Sequence, residues 1–212
     1  MFLSRKIRKG FTLIELLVVI AIIAVLSVVV ILTLNPAELL KQARDSNRIS
    51  DLATMKSAVS LYLADVNNPY IGTSSNAYFS TSATSTFSIA NWGIFTATST
   101  GATATTTRGV GGYNIATNSG WLPVNFSLIS SGSPIGSLPL DPTNSAVTTI
   151  TYTSGSAVGT FYGYVPASTS TTFKFVTHME SQKYGSGGGS DRQTGDGGVS
   201  TTTYEQATNL TL

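Results

Sequence analysis

Residues 1–34 read MFLSRKIRKGFTLIELLVVIAIIAVLSVVVILTL, and the reading of the whole chain turns on this stretch. Arg5, Lys6, Arg8 and Lys9 precede an apolar run from Phe11 to Leu34 whose only charge is Glu15. As a helix rising about 1.5 Å per residue the run reaches ~36 Å, enough for a hydrocarbon core of ~30 Å. A secretory signal peptide has a shorter apolar region with a small-residue cleavage site behind it. Here the helical pattern continues past the run. Basic residues on the N-terminal side keep that end cytoplasmic and send the remainder outward.

Beyond the run, Asn35 is placed to cap a helix, Pro36 suits a first helical turn, and good helix formers follow. Either the helix kinks at Pro36 or a second helix starts there. Ile49, Leu52, Met55, Val59, Tyr62 and Val66 then step by three or four, which draws one apolar stripe on a helix. Before the stripe, Lys41, Arg44, Asp45, Arg48 and Asp51 put charge all round the helix, with opposite signs three or four residues apart. That turn is expected to stay solvated and to serve as a subunit contact only on assembly. Asn67-Asn68-Pro69 stops the helix.

From residue 69 onward the composition changes: Thr and Ser supply 50 of the last 144 residues, and only nine side chains are charged. Thr, Tyr, Phe, Val and Ile suit pleated surfaces while Gly and Ser punctuate them as turns, so this half is predicted to be β-rich. Phe173, Phe175 and Met179 alternate with Lys174, Val176, His178 and Glu180, the pattern of a strand with one buried face. Weaker strand signals lie at Gly112–Ala116, Val147–Thr153 and Phe161–Val165, and Gly72–Thr107 reads as a long connection carrying short strands or turns. The predicted fold class is α+β, a long N-terminal helix from Phe11 to about Val66 whose second half packs on a C-terminal antiparallel sheet. The segments are 1–10, 11–34, 35–68 and 69–212.

Composition narrows the chemistry. Charged residues are 10% of the chain, against about 25% in ordinary soluble domains, yet mean hydropathy is +0.19. There is no cysteine, which removes disulfide scaffolds, thiol catalysis and Cys-ligated metals, and there is one histidine, His178. From Phe11 onward the count is 8 basic against 10 acidic residues, so no basic surplus is left for nucleic acid. No Ser-His-Asp set or carboxylate pair assembles from spacing, and His178 reads as a surface or packed side chain. An enzyme is not expected.

Lys9-Gly10-Phe11-Thr12-Leu13-Ile14-Glu15-Leu16, followed by Leu17 to Ala24, resembles the class III signal of type IV pilins and type II secretion pseudopilins. A basic leader, Gly before Phe, Glu at the fifth position after it, and an apolar helix all coincide. The likeness continues more weakly through Ala43-Arg44-Asp45 and Arg48 to Tyr62, and Leu138-Pro139-Leu140-Asp141-Pro142 resembles a Leu-Pro-x-Asp-Pro element of pseudopilin-like domains. By default Asp141 before proline is a turn-former.

The resemblance implies removal of residues 1–10 as a leader, cleavage after Gly10 by the membrane-embedded prepilin peptidase, and N-methylation of Phe11. A glycine lets a protease approach the backbone closely. It implies a lollipop-shaped subunit held in the cytoplasmic membrane with its N-terminus inside, then extracted into an extracellular homo-oligomeric filament by an inner-membrane platform and its ATPase. Glu15 at the bilayer centre would cost roughly 2.5–3.5 kcal/mol and so needs a partner. The resemblance assigns it the Phe11 amine of a neighbouring subunit; reaching the headgroup region is the other reading. Cleavage leaves 202 of the 212 residues, longer than a compact pseudopilin domain needs, which favours a pilus subunit over a pseudopilin. A membrane-anchored extracellular binding protein with an uncleaved helix is the alternative of another class.

No cofactor is expected. Gly185–Gly198, GSGGGSDRQTGDGG, is glycine-rich but lacks the Lys-Ser/Thr of a phosphate loop. Asp191 and Asp196 can offer oxygens to calcium, and major pseudopilins carry a calcium loop near the C-terminus. The spacing here departs from theirs, and a solvated turn is the simpler reading.

Overall fold

The computed structural model describes residues 10–73, 76–81, 101–105, 107–112, 120–144, 160–166, 171–198 and 200–208. The chain divides into two units, Met1–Leu40 and Lys41–Leu212.

In the first unit, helix α1 (Leu13–Leu34) starts at a capping box. The Thr12 hydroxyl accepts from the Glu15 amide, and the Glu15 carboxylate reaches back to the Thr12 N–H at 2.9 Å. Two orphan donors of the first turn are thereby satisfied. Its span Leu13–Ile31 has mean hydropathy 3.2 and is not buried at all, so it is long and apolar enough to cross a membrane. α1 ends because Asn35 turns left-handed, with φ 40° and ψ 70°. The next residue, Pro36, opens helix α2 (Pro36–Asp65), where a missing N–H costs nothing. Of the two sequence options the second is realised: a second helix starts, in place of one helix kinked at Pro36. Asn35 caps it, with its carbonyl 2.9 Å and its side-chain oxygen 3.4 Å from the Glu38 amide.

In the second unit the α2 stripe is buried as its spacing predicts. Leu52, Met55, Val59 and Tyr62 are at most 1% exposed, and Ile49 and Val66 are partly buried beside them. Each full burial is worth roughly 1.5–3 kcal/mol. The stripe shares a core with Tyr78, Tyr164, Phe173 and Phe175 from the sheet and with Trp121, Leu122 and Phe126 from the segment 120–129. Trp121 satisfies its ring N–H on the Pro139 carbonyl at 3.0 Å.

The sheet has strands β1 (Asn76–Phe79), β2 (Gly101–Ala104), β3 (Gly163–Pro166), β4 (Phe173–Thr177) and β5 (Tyr204–Ala207), in the order β2-β1-β3-β4-β5. Four strands pair antiparallel as expected, but β2 lies parallel to β1. The connection of about twenty residues between them meets the dozen or more that a parallel crossover needs. β3 falls on the Phe161–Val165 signal. Val147–Thr153 and, past Gly112, the Gly112–Ala116 signal lie outside the described residues.

β4 departs from the alternation read in its sequence, because all five of its residues are buried. Tyr164 sits opposite Phe175, ring centroids 5.0 Å apart, on the face toward α2. The other face is not solvated. Phe79 stacks edge-on against Phe161 at 5.5 Å, and Lys174 lies buried 3.1 Å from the equally buried Glu205. The segment around Asp196–Gly198 closes over this side: Asp196 accepts from the Glu205 amide at 2.6 Å, and a Cβ on Gly198 would run into the Glu205 carboxylate. Alternating polar residues here mark a paired buried face.

Candidate functional site

The N-terminal junction is open. Gly10 has nothing within 4 Å of the place a Cβ would occupy, and Phe11 is 81% exposed. Among the described residues nothing crowds position 10, so the backbone there is open to close approach from outside. Lys9 lies outside the described residues. Glu15, on the first turn of α1, has both Thr12 N–H and Thr12 O–H on one carboxylate oxygen, at 2.9 and 2.8 Å. In the uncut chain the nitrogen of Phe11 is an amide, so the carboxylate is held by its own helix start. Phe11, Ile14, Glu15, Val18 and Val19 line a shallow groove along this face.

A second constellation was expected to be solvated and is buried. Arg48 is fully enclosed, and its guanidinium grips Asp141 with two bonds, Nε to Oδ2 at 2.6 Å and Nη2 to Oδ1 at 2.9 Å. Nη1 reaches Asp45 at 2.6 Å and Glu180 at 3.2 Å, and Nη2 also donates to the Thr143 hydroxyl. Asp45, equally enclosed, accepts from the Glu180 and Ser181 amides, and Arg44 donates to Glu180 at 2.7 Å. One turn on, the Tyr162 hydroxyl donates to Asp51 at 2.6 Å. The expected solvated turn is thus a clasp that fastens α2 to the segments around residues 141 and 180. Burial repays only when every lone pair and proton is matched, and here the bidentate fork and the amide donors supply the match.

The titration of the clasp follows from this packing. Burial pushes the Asp141 carboxyl up, but the hydrogen bonds and charge of Arg48, with Thr143, outweigh it and hold Asp141 below the usual carboxylate range. Burial likewise works against the Arg48 charge, and its carboxylates win, leaving it more firmly protonated than an exposed arginine. Asp51 goes the other way: burial raises it further than the Tyr162 donor lowers it. Asp141 also keeps its turn-forming role, since Oδ1 accepts from the Thr143 and Asn144 amides.

The glycine-rich loop holds its two acids separately. Asp191 accepts from the amides of Gly187, Gln193 and Thr194 and from the Thr194 hydroxyl. These donors, led by the Thr194 hydroxyl, bring its carboxyl down to about 2. Asp196 accepts from the Gly198 and Glu205 amides, and burial raises it. Calcium takes six to eight oxygens, whereas these carboxylates face N–H donors. Among the described residues no group of three His, Asp or Glu side chains is placed to hold a metal ion. His178 is part-buried, its Nδ1 2.9 Å from the Thr202 carbonyl and 3.0 Å from the Gln193 side-chain nitrogen.

Two features escaped the sequence reading. The capping box was legible as Thr12-x-x-Glu15. The clasp had only a faint signal, the charged turn of α2 and the Leu138–Pro142 element, with nothing to join them across 93 residues. No curated protein and no solved structure was found to match the chain. Residues 5–31 match the family model described as the prokaryotic N-terminal methylation motif, and that match, running into an exposed apolar helix behind an open Gly10–Phe11 junction, fits the class III signal of type IV pilins and pseudopilins.

Proposed function

We propose that the chain is a structural subunit of a type IV pilus. It is inserted in the cytoplasmic membrane through α1, cut after Gly10 by prepilin peptidase, methylated on Phe11 and polymerised through α1 into an extracellular homo-oligomeric filament by an assembly platform and ATPase. Adhesion, motility or DNA uptake are the uses such a filament serves. The observation that carries this reading is the methylation-motif match together with a glycine that no described residue crowds. Cutting there frees an α-amine on Phe11, and the Glu15 carboxylate, now on Thr12, is the acid within the apolar run that can trade this contact for a neighbour's amine.

A type II secretion pseudopilin is the second reading, favoured by the Leu138–Pro142 element, whose Asp141 is locked to Arg48. The test is mass spectrometry of filaments sheared from cells. The expected subunit begins at methylated Phe11. Protein that stays in the membrane and retains Met1 would overturn both readings and leave an anchored binding protein.

A further inference from the structure

Lys174 and Glu205 take no part in the junction or the clasp. Both side chains are wholly buried, with Nζ 3.1 Å from Oε2. They are diagonal neighbours on adjacent antiparallel strands, Lys174 opposite Ala207 and Glu205 opposite Val176, a spacing that long side chains bridge. On its other flank Lys174 faces Val165 of β3. Ala207, Val176 and Val165 are thus the nearest cross-strand neighbours of the pair. Asp196 joins it from the covering loop: it accepts from the Glu205 amide, and the place a Gly198 Cβ would fill borders both the Glu205 carboxylate and, at 3.1 Å, Asp196 Oδ1. A side chain at 198 would displace the Glu205 carboxylate, so glycine there lets the covering loop lie against the pair.

We infer that Lys174 and Glu205 become joined by a side-chain amide in the folded protein, with Asp196 carrying the proton. Taking two charges out of water is expensive, and this pair is wholly enclosed. Moving one proton from Nζ to the Glu205 carboxylate turns it into a neutral amine beside a carboxylic acid. The amine lone pair then attacks Cδ, forming the C–N bond. A second proton leaves the nitrogen through Asp196 to the departing hydroxyl, and the C–O bond breaks to release water. The balance is one ammonium and one carboxylate in, one amide and one water out, with no oxidant, reductant or other reactant. Holding the partners at contact distance in a dry site supplies the proximity on which such a step depends. Burial already biases the Asp196 carboxyl toward holding a proton. The bond would close a 31-residue separation and tie β5, the last strand, to β4. A disulfide does this in many exported domains, and this chain has no cysteine to make one.

The test is intact mass and peptide mapping of the full chain, purified in detergent and then denatured. The expected result is a mass lower by one water than the sequence of the isolated form, with the Lys174 and Glu205 peptides recovered as one branched species. Full mass with both peptides linear overturns the proposal outright, whatever any variant does. Lys174→Met and Glu205→Leu should each restore the water. Asp196→Asn should give folded chains that remain linear, or lose water many-fold more slowly after refolding and with an altered pH dependence, a readout that a merely structural role would not move. Unchanged cross-linking in Asp196→Asn would remove Asp196 from the mechanism.

Discussion

Helix α1 and the first turns of α2 invert the usual rule of what goes inside. Across Leu13–Ile31 the apolar side chains are exposed, while Asp45 and Arg48, in the charged turn of α2, have no exposure. The difference lies in what each segment has for a solvent. In the proposed function α1 has lipid or other subunits available, and an all-round apolar helix has no polar face to turn outward. The α2 turn meets carboxylates, amides and hydroxyls from distant parts of its own chain, so its charges find partners indoors. Hydrophobicity alone sorts segments by medium; complementarity decides whether charge stays wet.

Removing the charge at the centre of the clasp is the strongest way to break this contrast. Arg48→Met leaves Asp45 and Asp141 enclosed without a counter-charge, and should lower unfolding free energy by about 3–5 kcal/mol in urea melts followed by tryptophan fluorescence. Adding Asp141→Asn should recover part of it. A loss under about 0.5 kcal/mol, the usual range for surface substitutions, would mean that the turn is solvated after all.

The reverse experiment puts a charge into α1. Val19→Lys should cost about 2.5–3.5 kcal/mol in membrane insertion, read as the fraction of protein resisting alkaline extraction, and leave the urea midpoint of the other unit unmoved. A matching drop in that midpoint would show α1 to be part of a protein core.

Smaller still, Tyr162→Phe deletes the hydroxyl that donates to Asp51 and should cost about 1–3 kcal/mol, the penalty for a part-buried acceptor left unmet. A neutral substitution would place water at that oxygen.

The smallest effect is the net response to acid. Asp141 is depressed in the fold, so its stabilisation is complete above its unfolded value of about 4 and is lost as pH falls through the folded one. Asp51 is raised, so its contribution is complete below that same unfolded value and fades as pH rises through the folded one. The two oppose each other, and melts below pH ~4 should show a modest loss. That loss should flatten in Arg48→Met; an unchanged slope would put the acid sensitivity elsewhere.

How much could be read beforehand follows the range of the interaction. α1 is visible because every residue between Leu16 and Val25 says the same thing, and the Leu52–Tyr62 stripe because its period lies within one helix. The β-rich half shows in its Thr and Ser. Arg48 with Asp141, or Arg44 with Glu180, is invisible for the opposite reason, since helical spacing explains the charges adequately without any distant partner. β4 misleads similarly: a lysine at an alternate position looks like a wet face until Glu205 is found beside it. The parallel set of β2 carries no local mark, because strand direction is a property of the connection.

The clasp also has a consequence in time. Arg48 leaves the ribosome long before its main partner Asp141, 93 residues later, and Arg44 waits 136 residues for Glu180. Closing such loops is slow compared with helix formation. α2 therefore emerges as an unfinished surface carrying an unmatched guanidinium, and it cannot settle until most of the chain has followed. A chain cut short before residue 180 lacks Glu180 and the last strand, β5, and so leaves both the clasp and the sheet incomplete.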